Sequence, residues 1–247
     1  MLQNRIIPAL QIQDGSVVKS IKFKKHSYIG DPVNTVNIFN SMEVDEILIL
    51  DVNATNNIKY DLIEEIATEC FMPLAYGGGI GNIEQAKKIF ELGVEKIVIG
   101  EHSFNNFKFL NEISEIFGSQ SIVVSMDIKK TMFGKYSLKN KKNFFSINLS
   151  DYVKNLETAG VGEILLTSVD NEGTFNGLDL DLISLVSEKV TIPIIAAGGV
   201  GSLAHVRAGK DAGASAVATG SMAVFQNQNR SVLINFPKKR ERQKYGI

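Results

Sequence analysis

The chain has little that would tie it to an oxidising compartment, a membrane or a nucleic acid. It carries one cysteine, Cys70, which can form neither an internal disulfide nor a cysteine-rich zinc site and fits a reducing compartment. No apolar run approaches the ~20 residues needed to span a bilayer. The opening stretch MLQNRIIPAL has a charge inside a short apolar segment and no cleavage pattern, so no signal peptide is expected. Neither sign of charge dominates: 26 Lys and Arg meet 27 Asp and Glu. With pI ≈ 6.3 there is no general electrostatic pull toward nucleic acid or an anionic membrane. What is present is a globular composition. Of 247 residues, 44% are hydrophobic and 21% charged, which excludes a disordered chain and suits one large domain or two small ones. The expectation is a soluble, cytoplasmic protein.

Short apolar runs alternate with longer amphipathic segments. The runs are Ile6–Leu10, Ile47–Leu50, Pro73–Tyr76, Lys96–Ile99, Ile122–Met126, Glu163–Thr167, Pro193–Ala196 and Ala216–Thr219. Each leads into Gly, Asp or Asn, as buried parallel strands do when they enter loops. Between them, NIEQAKKIFEL (82–92) places Ile83, Ala86, Ile89 and Phe90 on one helix face and stops at Gly93. Eight strands alternating with helices over roughly 250 residues predict a closed α/β (β/α)₈ barrel.

An internal repeat supports closure. PLAYGGGIGNIEQAKKIFELGVEKIVIG from Pro73 aligns without a gap on PIIAAGGVGSLAHVRAGKDAGASAVATG from Pro193, VDEILILDV from Val44 on VGEILLTSV from Val161, and IIPALQI from Ile6 on IVVSMDI from Ile122. The chain thus reads as one domain, 1–247, made of two similar (βα)₄ halves, approximately 1–118 and 119–247, sharing one core. The lysine-rich stretch Lys139–Lys142 reads as a solvated loop, and KKRERQKYGI as a solvated terminal segment.

The repeat also pairs glycines. Gly78 and Gly79 follow the third strand and Gly198 and Gly199 the seventh, while Gly100 and the Gly220–Ser221 step follow the fourth and eighth. In a barrel these loops share the C-terminal face, where the active sites of this fold lie. Glycine lets backbone N–H groups approach an anion, and a following helix start adds partial positive charge. The plainer alternative is that they only make tight turns. Two related pairs favour two phosphate sites on opposite rims of one mouth, suited to a long substrate with a phosphate at each end.

Four polar positions sit at strand ends: Gln11, Asp51, Asp127 and Asp170. Carboxylates gathered in a partly dry mouth can act as general acids or bases, or each can cap a loop. Asp127, expected to close the fifth strand and face the mouth, is best placed for chemistry. Gln11 is its mate in the repeat, and an amide has no proton-transfer pKa near neutrality.

The chain resembles, over essentially its whole length, the HisF-type cyclase subunit of imidazole glycerol phosphate synthase, in the HisA/HisF superfamily. The matching stretches are RIIPALQIQDGSVVK, GDPV at Gly30, DEILILDVNAT, the GGGI segment, VVSMDIKK, GEILLTSVDNEGT, IPIIAAGGVGS and the terminal FPKK. The resemblance implies a glutaminase partner (HisH-type) on the N-terminal barrel face and ammonia passing through the barrel. At the C-terminal mouth it implies cyclisation of a bisphosphorylated ribonucleotide to imidazole glycerol phosphate. It assigns phosphate binding to Gly78, Gly79, Gly198, Gly199, Gly220 and Ser221, general-acid work to Asp127, and adjacent polar roles to Asp51, Thr167 and Asp170. It also implies a charged ammonia gate at the barrel bottom, here Arg5, Glu46, Glu95 and Lys96. No cofactor or metal is implied.

Two departures stand against that pattern. Gln11 occupies the position of the family's general base, and losing one member of an acid–base pair typically removes about 10²–10⁴-fold of rate. Gly100 replaces an Asn beside a phosphate, and Glu101 and His102 follow it. A retained gate and phosphate loops without the base resemble paralogues of surface-polysaccharide pathways, which supply ammonia to a third enzyme, a sugar amidotransferase. The alternatives are a working histidine-pathway cyclase that tolerates Gln11 and a catalytically silent scaffold that activates the glutaminase.

Overall fold

The computed structural model describes residues 5–54, 57–131, 134–140, 143–226 and 228–247. Met1–Asn4 of the opening stretch, Thr55 of LDVNAT, and Lys141 and Lys142 of the lysine-rich stretch lie outside them. Eight parallel strands close into a barrel: β1 (Arg5–Gln13), β4 (Ile47–Asp51), β5 (Leu74–Gly77), β6 (Lys96–Ile99), β7 (Ile122–Lys130), β10 (Glu163–Ser168), β11 (Ile194–Ala197) and β12 (Ala216–Thr219). Closure is carried by β12 on β1 and by β7 on β10. No helix among the described residues is long and apolar enough to cross a membrane.

Strand alternation divides the apolar residues into two layers, since successive side chains point to opposite faces. Ile7, Leu48, Ala75, Val98, Val123, Leu165, Ile195 and Ala216, one from each strand, fill the barrel interior. Their neighbours of opposite parity, such as Ile6, Ile49, Ile97 and Val124, pack outward under the helices. The outer helices are α1 (Pro32–Asn40), α2 (Tyr60–Glu69), α3 (Ile83–Glu91), α4 (Phe107–Phe117), α5 (Leu149–Thr158), α6 (Leu180–Ser187) and α7 (Leu203–Asp211). α3 starts where its sequence indicates, with the Asn82 side chain accepting from Gln85 N–H, and the φ of +97° at Gly93 ends it. At α7, Ser202 accepts from His205 N–H and Gly213 follows at +107°.

Two strands run longer than their apolar runs indicate, because hairpins extend them. β2 (Ser16–Ile21) pairs with the end of β1 and with β3 (Lys24–Gly30). β8 (Tyr136–Asn140) pairs with the end of β7 and with β9 (Asn143–Ser146). Asp127 therefore lies within β7 rather than closing it, and Asp51 is the last residue of β4 rather than just beyond it. Lys139 is likewise a strand residue, not part of a solvated loop. The eighth barrel helix, α8, is only Ser221–Val224, and KKRERQKYGI is no loose tail: it contains α9 (Lys239–Lys244). Arg242 of α9 pairs with Asp45 at 2.8 Å and stacks on Phe236.

Candidate active site at the barrel mouth

The glycines first meet a packing demand. A Cβ on Gly79 (φ +70°) would lie 2.2 Å from the carbonyl oxygen of Ala54, and one on Gly199 (φ +95°) would lie 2.2 Å from that of Gly177. Gly78 and Gly198 stand equally close to the carbonyls of Asp51 and Ser168, at 2.6 and 2.5 Å. Each pair is thus the residue type that lets one strand-end loop rest on the preceding loop. The turn-making reading holds for all four.

Ligand-binding character comes from the companions. Gly100 has open space where a Cβ would be. On the other rim, Lys19 of β2 reaches in so far that a Cβ on Gly220 would lie 2.6 Å from its Nζ. Beside it the Thr219 and Ser221 hydroxyls are buried without a hydrogen-bond partner. Buried hydroxyls normally find one; Thr219 has the outward parity of Val217 on β12, so the groups this rim can offer an anion are the Lys19 ammonium and the Ser221 hydroxyl. Lys19 itself is ion-paired with Glu172, both largely buried. Neither residue carried a readable signal, because the contact spans 153 positions.

The carboxylates separate into different roles. Asp127 lies in register with Thr167, and four residues along β7 from the interior Val123 it shares that residue's face. Burial pushes its carboxyl up to about 6, Lys139 pulls it down, and Glu172 pushes it up again. A proton held near working pH is what acid–base chemistry needs. Asp51 is also raised by burial, yet its side chain accepts from Asn53 N–H at 3.1 Å and so closes its own loop. Asp170 accepts from Lys130 N–H at 3.1 Å, tying the β10 loop to the end of β7. For these two the capping role is the one with a partner. Gln11 is buried on β1, its side-chain oxygen accepting from the Ser20 hydroxyl at 3.1 Å.

Asp127 fixes the sign of one pH effect. Its folded pKa lies above the ordinary value, so at pH above about 6 the folded state holds a charge that burial disfavours. Asp127→Asn is expected to raise thermal stability at pH 7.5, by at most about 3 kcal/mol, and to change little below about pH 3, where the wild-type group is protonated in both states. Equal melting shifts at both pH values would contradict the raised value.

At the other end of the barrel, Arg5 binds Glu46 at 2.6 Å and Glu163 at 3.0 Å, and Lys96 binds the same two carboxylates at 3.0 and 3.2 Å. Charges therefore alternate around a closed four-membered ring. Burial opposes the Arg5 charge, but Glu163 and Glu46 outweigh it and raise the guanidinium pKa. The fourth member corrects the sequence expectation. Glu95 accepts from Leu74 N–H at 2.7 Å and stands outside the ring, because Lys96, with Val98, has the inward parity of β6. Glu163 was legible, since the repeat sets it opposite Glu46. Directly above the ring, Ile7, Leu48, Ala75, Val98, Val123 and Ile195 surround a cavity of about 10 Å³, the threshold for one water-sized molecule. A groove of about 620 Å³ lies between Phe175 of the loop after β10, the start of α7, α8 and the terminal segment; it includes none of the mouth residues named above.

A closed parallel barrel with carboxylates and glycine loops at one mouth and a charged ring at the other is a (β/α)₈ barrel of the enzyme type, whose sites lie at the C-terminal face. The family profile described as Histidine biosynthesis protein matches residues 5–229. A Pseudomonas aeruginosa protein provisionally named imidazole glycerol phosphate synthase subunit hisF2 is 42% identical, covering 96% of this chain and 97% of its own. The imidazole glycerol phosphate synthase subunit HisF of Methanococcus vannielii is 38% identical, covering 83% and 85%. The chain belongs to the histidine biosynthesis protein family and within it is HisF-like, a cyclase-type barrel of the HisA/HisF superfamily.

Proposed function

We propose that this barrel is the synthase subunit of a glutamine amidotransferase system. It takes ammonia from a glutaminase docked on its N-terminal face and delivers it at the mouth for a sugar-amidation step carried out with a third enzyme. The observation that carries the reading is the pairing across the mouth. Asp127 is poised to exchange a proton, while its counterpart is the neutral Gln11, hydrogen-bonded to Ser20. Three further features support the reading: the charged ring, which can serve as a gate, the mostly apolar cavity of single-molecule size beside it, and two glycine rims that suit the phosphates of one substrate. The site set is Gln11, Asp51, Asp127, Thr167 and Asp170 for chemistry and positioning, with Gly78, Gly79, Gly100, Gly198, Gly199, Gly220 and Ser221 for phosphate. The halves of the single domain each contribute one rim. A cytoplasmic setting follows from the family's soluble chemistry and the one free thiol, Cys70.

The names of the relatives favour a second reading, a genuine cyclase. Supplying the histidine-pathway bisphosphate with excess ammonium salt separates the two, since a cyclase turns over under those conditions without glutaminase. Glutaminase activity measured with and without the barrel tests the partner. A crystal soaked in phosphate or sulfate is expected to hold two anions, one by Gly78, Gly79 and Gly100, the other by Gly199, Gly220, Ser221 and Lys19. Empty rims in an unobstructed mouth would defeat the two-phosphate substrate.

A further inference from the structure

The β8–β9 hairpin brings one side chain to the mouth that neither the glycine rims nor the charged ring accounts for. Lys139 leaves β8 half-buried, with its Nζ 3.9 Å from the Asp127 carboxylate. The same ammonium stands 4.5 Å over the ring of Phe23, at the turn between β2 and β3. Both Lys22 and Phe23 adopt positive φ, +51° and +57°, an uncommon conformation for side-chain-bearing residues that fixes where the ring lies. An ammonium on an aromatic face gains electrostatically without neutralising its charge, so the ring can hold the amine while leaving it to act on a carboxylate. Lys139 is thus braced from one hairpin, carried by the other, and aimed at the carboxylate between them.

We propose that Lys139 is a positioning residue for Asp127: held on Phe23, it orients the carboxylate and sets its affinity for the proton. The inference deepens the amidotransferase reading, in which Asp127 is the acid at the mouth. The charged groups that face Asp127 are Lys139 from β8 and Glu172 from the loop after β10. Glu172 is itself bound by Lys19 of β2. Because Glu172 already has a cation of its own, Lys139 is the positive charge whose loss Asp127 feels directly. An opposite charge at this range lowers a carboxyl pKa by about 1–3 units, and partial exposure places this pair at the lower end.

The test is a carbon-13 NMR titration of the Asp127 carboxyl without substrate, assigned through Asp127→Asn, in the wild type, Lys139→Gln, Lys139→Arg and Phe23→Leu. Lys139→Gln is expected to raise the Asp127 pKa by about 1 unit. Lys139→Arg is expected to restore it to within a few tenths, and Phe23→Leu to raise it by a smaller amount while the lysine stays. All three variants lie at the surface of the mouth, and their melting temperatures are read alongside. An Asp127 titration unchanged in Lys139→Gln would overturn the proposal, as would an equal rise in Lys139→Arg. The measurement needs no turnover, so it is independent of whether the barrel acts as a cyclase, and failure of the amidotransferase reading leaves its outcome intact.

Discussion

Gln11→Asp is expected to give this barrel an ammonia-dependent cyclisation activity, with a gain approaching about 10²-fold, the lower end for one general base. The site is nearly prepared for the change. Asp127 already titrates well above the ordinary carboxylate range, at about 6, and Thr167 lies in register beside it. Two features of the present structure keep the gain at the lower end. Ser20 donates to the side-chain oxygen of Gln11, and the same hydroxyl on a carboxylate would favour its charged form and make it a weaker base. Gly100 also leaves an open space at the first rim, so a phosphate there has fewer side-chain contacts. Adding Asp127→Asn should abolish whatever is gained, because the two groups then act as one unit. Wild-type turnover of the histidine-pathway bisphosphate at about 1–10³ per second would sink the idea and make Gln11 a tolerated substitution.

The parts of this architecture that could be read in the sequence are those set by periodicity. Strand parity put Asp127 on the interior face, and the gapless repeat put Glu163 opposite Glu46 and the two glycine pairs in matching loops. Parity could not reveal the hairpins. Five of the seven residues of β3 are exposed and four of them charged or polar, so no apolar stripe marks it, and its pairing is a backbone affair with β2. Of the residues that shape the mouth from these hairpins, Lys19 acts on a partner 153 positions away, and Lys139 reaches Asp127 only because an unmarked hairpin folds β8 back on β7. Asp51 and Asp170 show the opposite limit. A carboxylate at a strand end looks the same whether it serves a substrate or a loop, and only the structure shows that these two also accept from the N–H groups of Asn53 and Lys130.

The ring at the barrel bottom makes the second large effect. Glu163→Ala is expected to destabilise the fold by about 3 kcal/mol, the lower end for removing one partner from a buried ion cluster. Arg5 and Lys96 would then share Glu46 alone, but each keeps some access to water, 17% and 18% of its side chain, which softens the penalty. Glu163→Gln, which preserves shape and a hydrogen-bond acceptor, should cost less. Glu95→Gln should cost about 1 kcal/mol, since it weakens one hydrogen bond, to Leu74 N–H. In urea unfolding the midpoint should fall with the slope unchanged, the mark of a stability effect without a change in what unfolds. The same variants separate stability from gating. With free ammonium salt the mouth chemistry of Glu163→Gln should match the wild type, because ammonia then reaches the mouth from solvent. With glutamine and the glutaminase it should fall, because the ring no longer aligns four alternating charges around the entry to the cavity above. If Glu95→Gln proved the costlier change in both measurements, the ring would have to be redrawn around Glu95. If Glu163→Gln lost activity equally with ammonium and glutamine, the ring would be a brace for the barrel and not a gate.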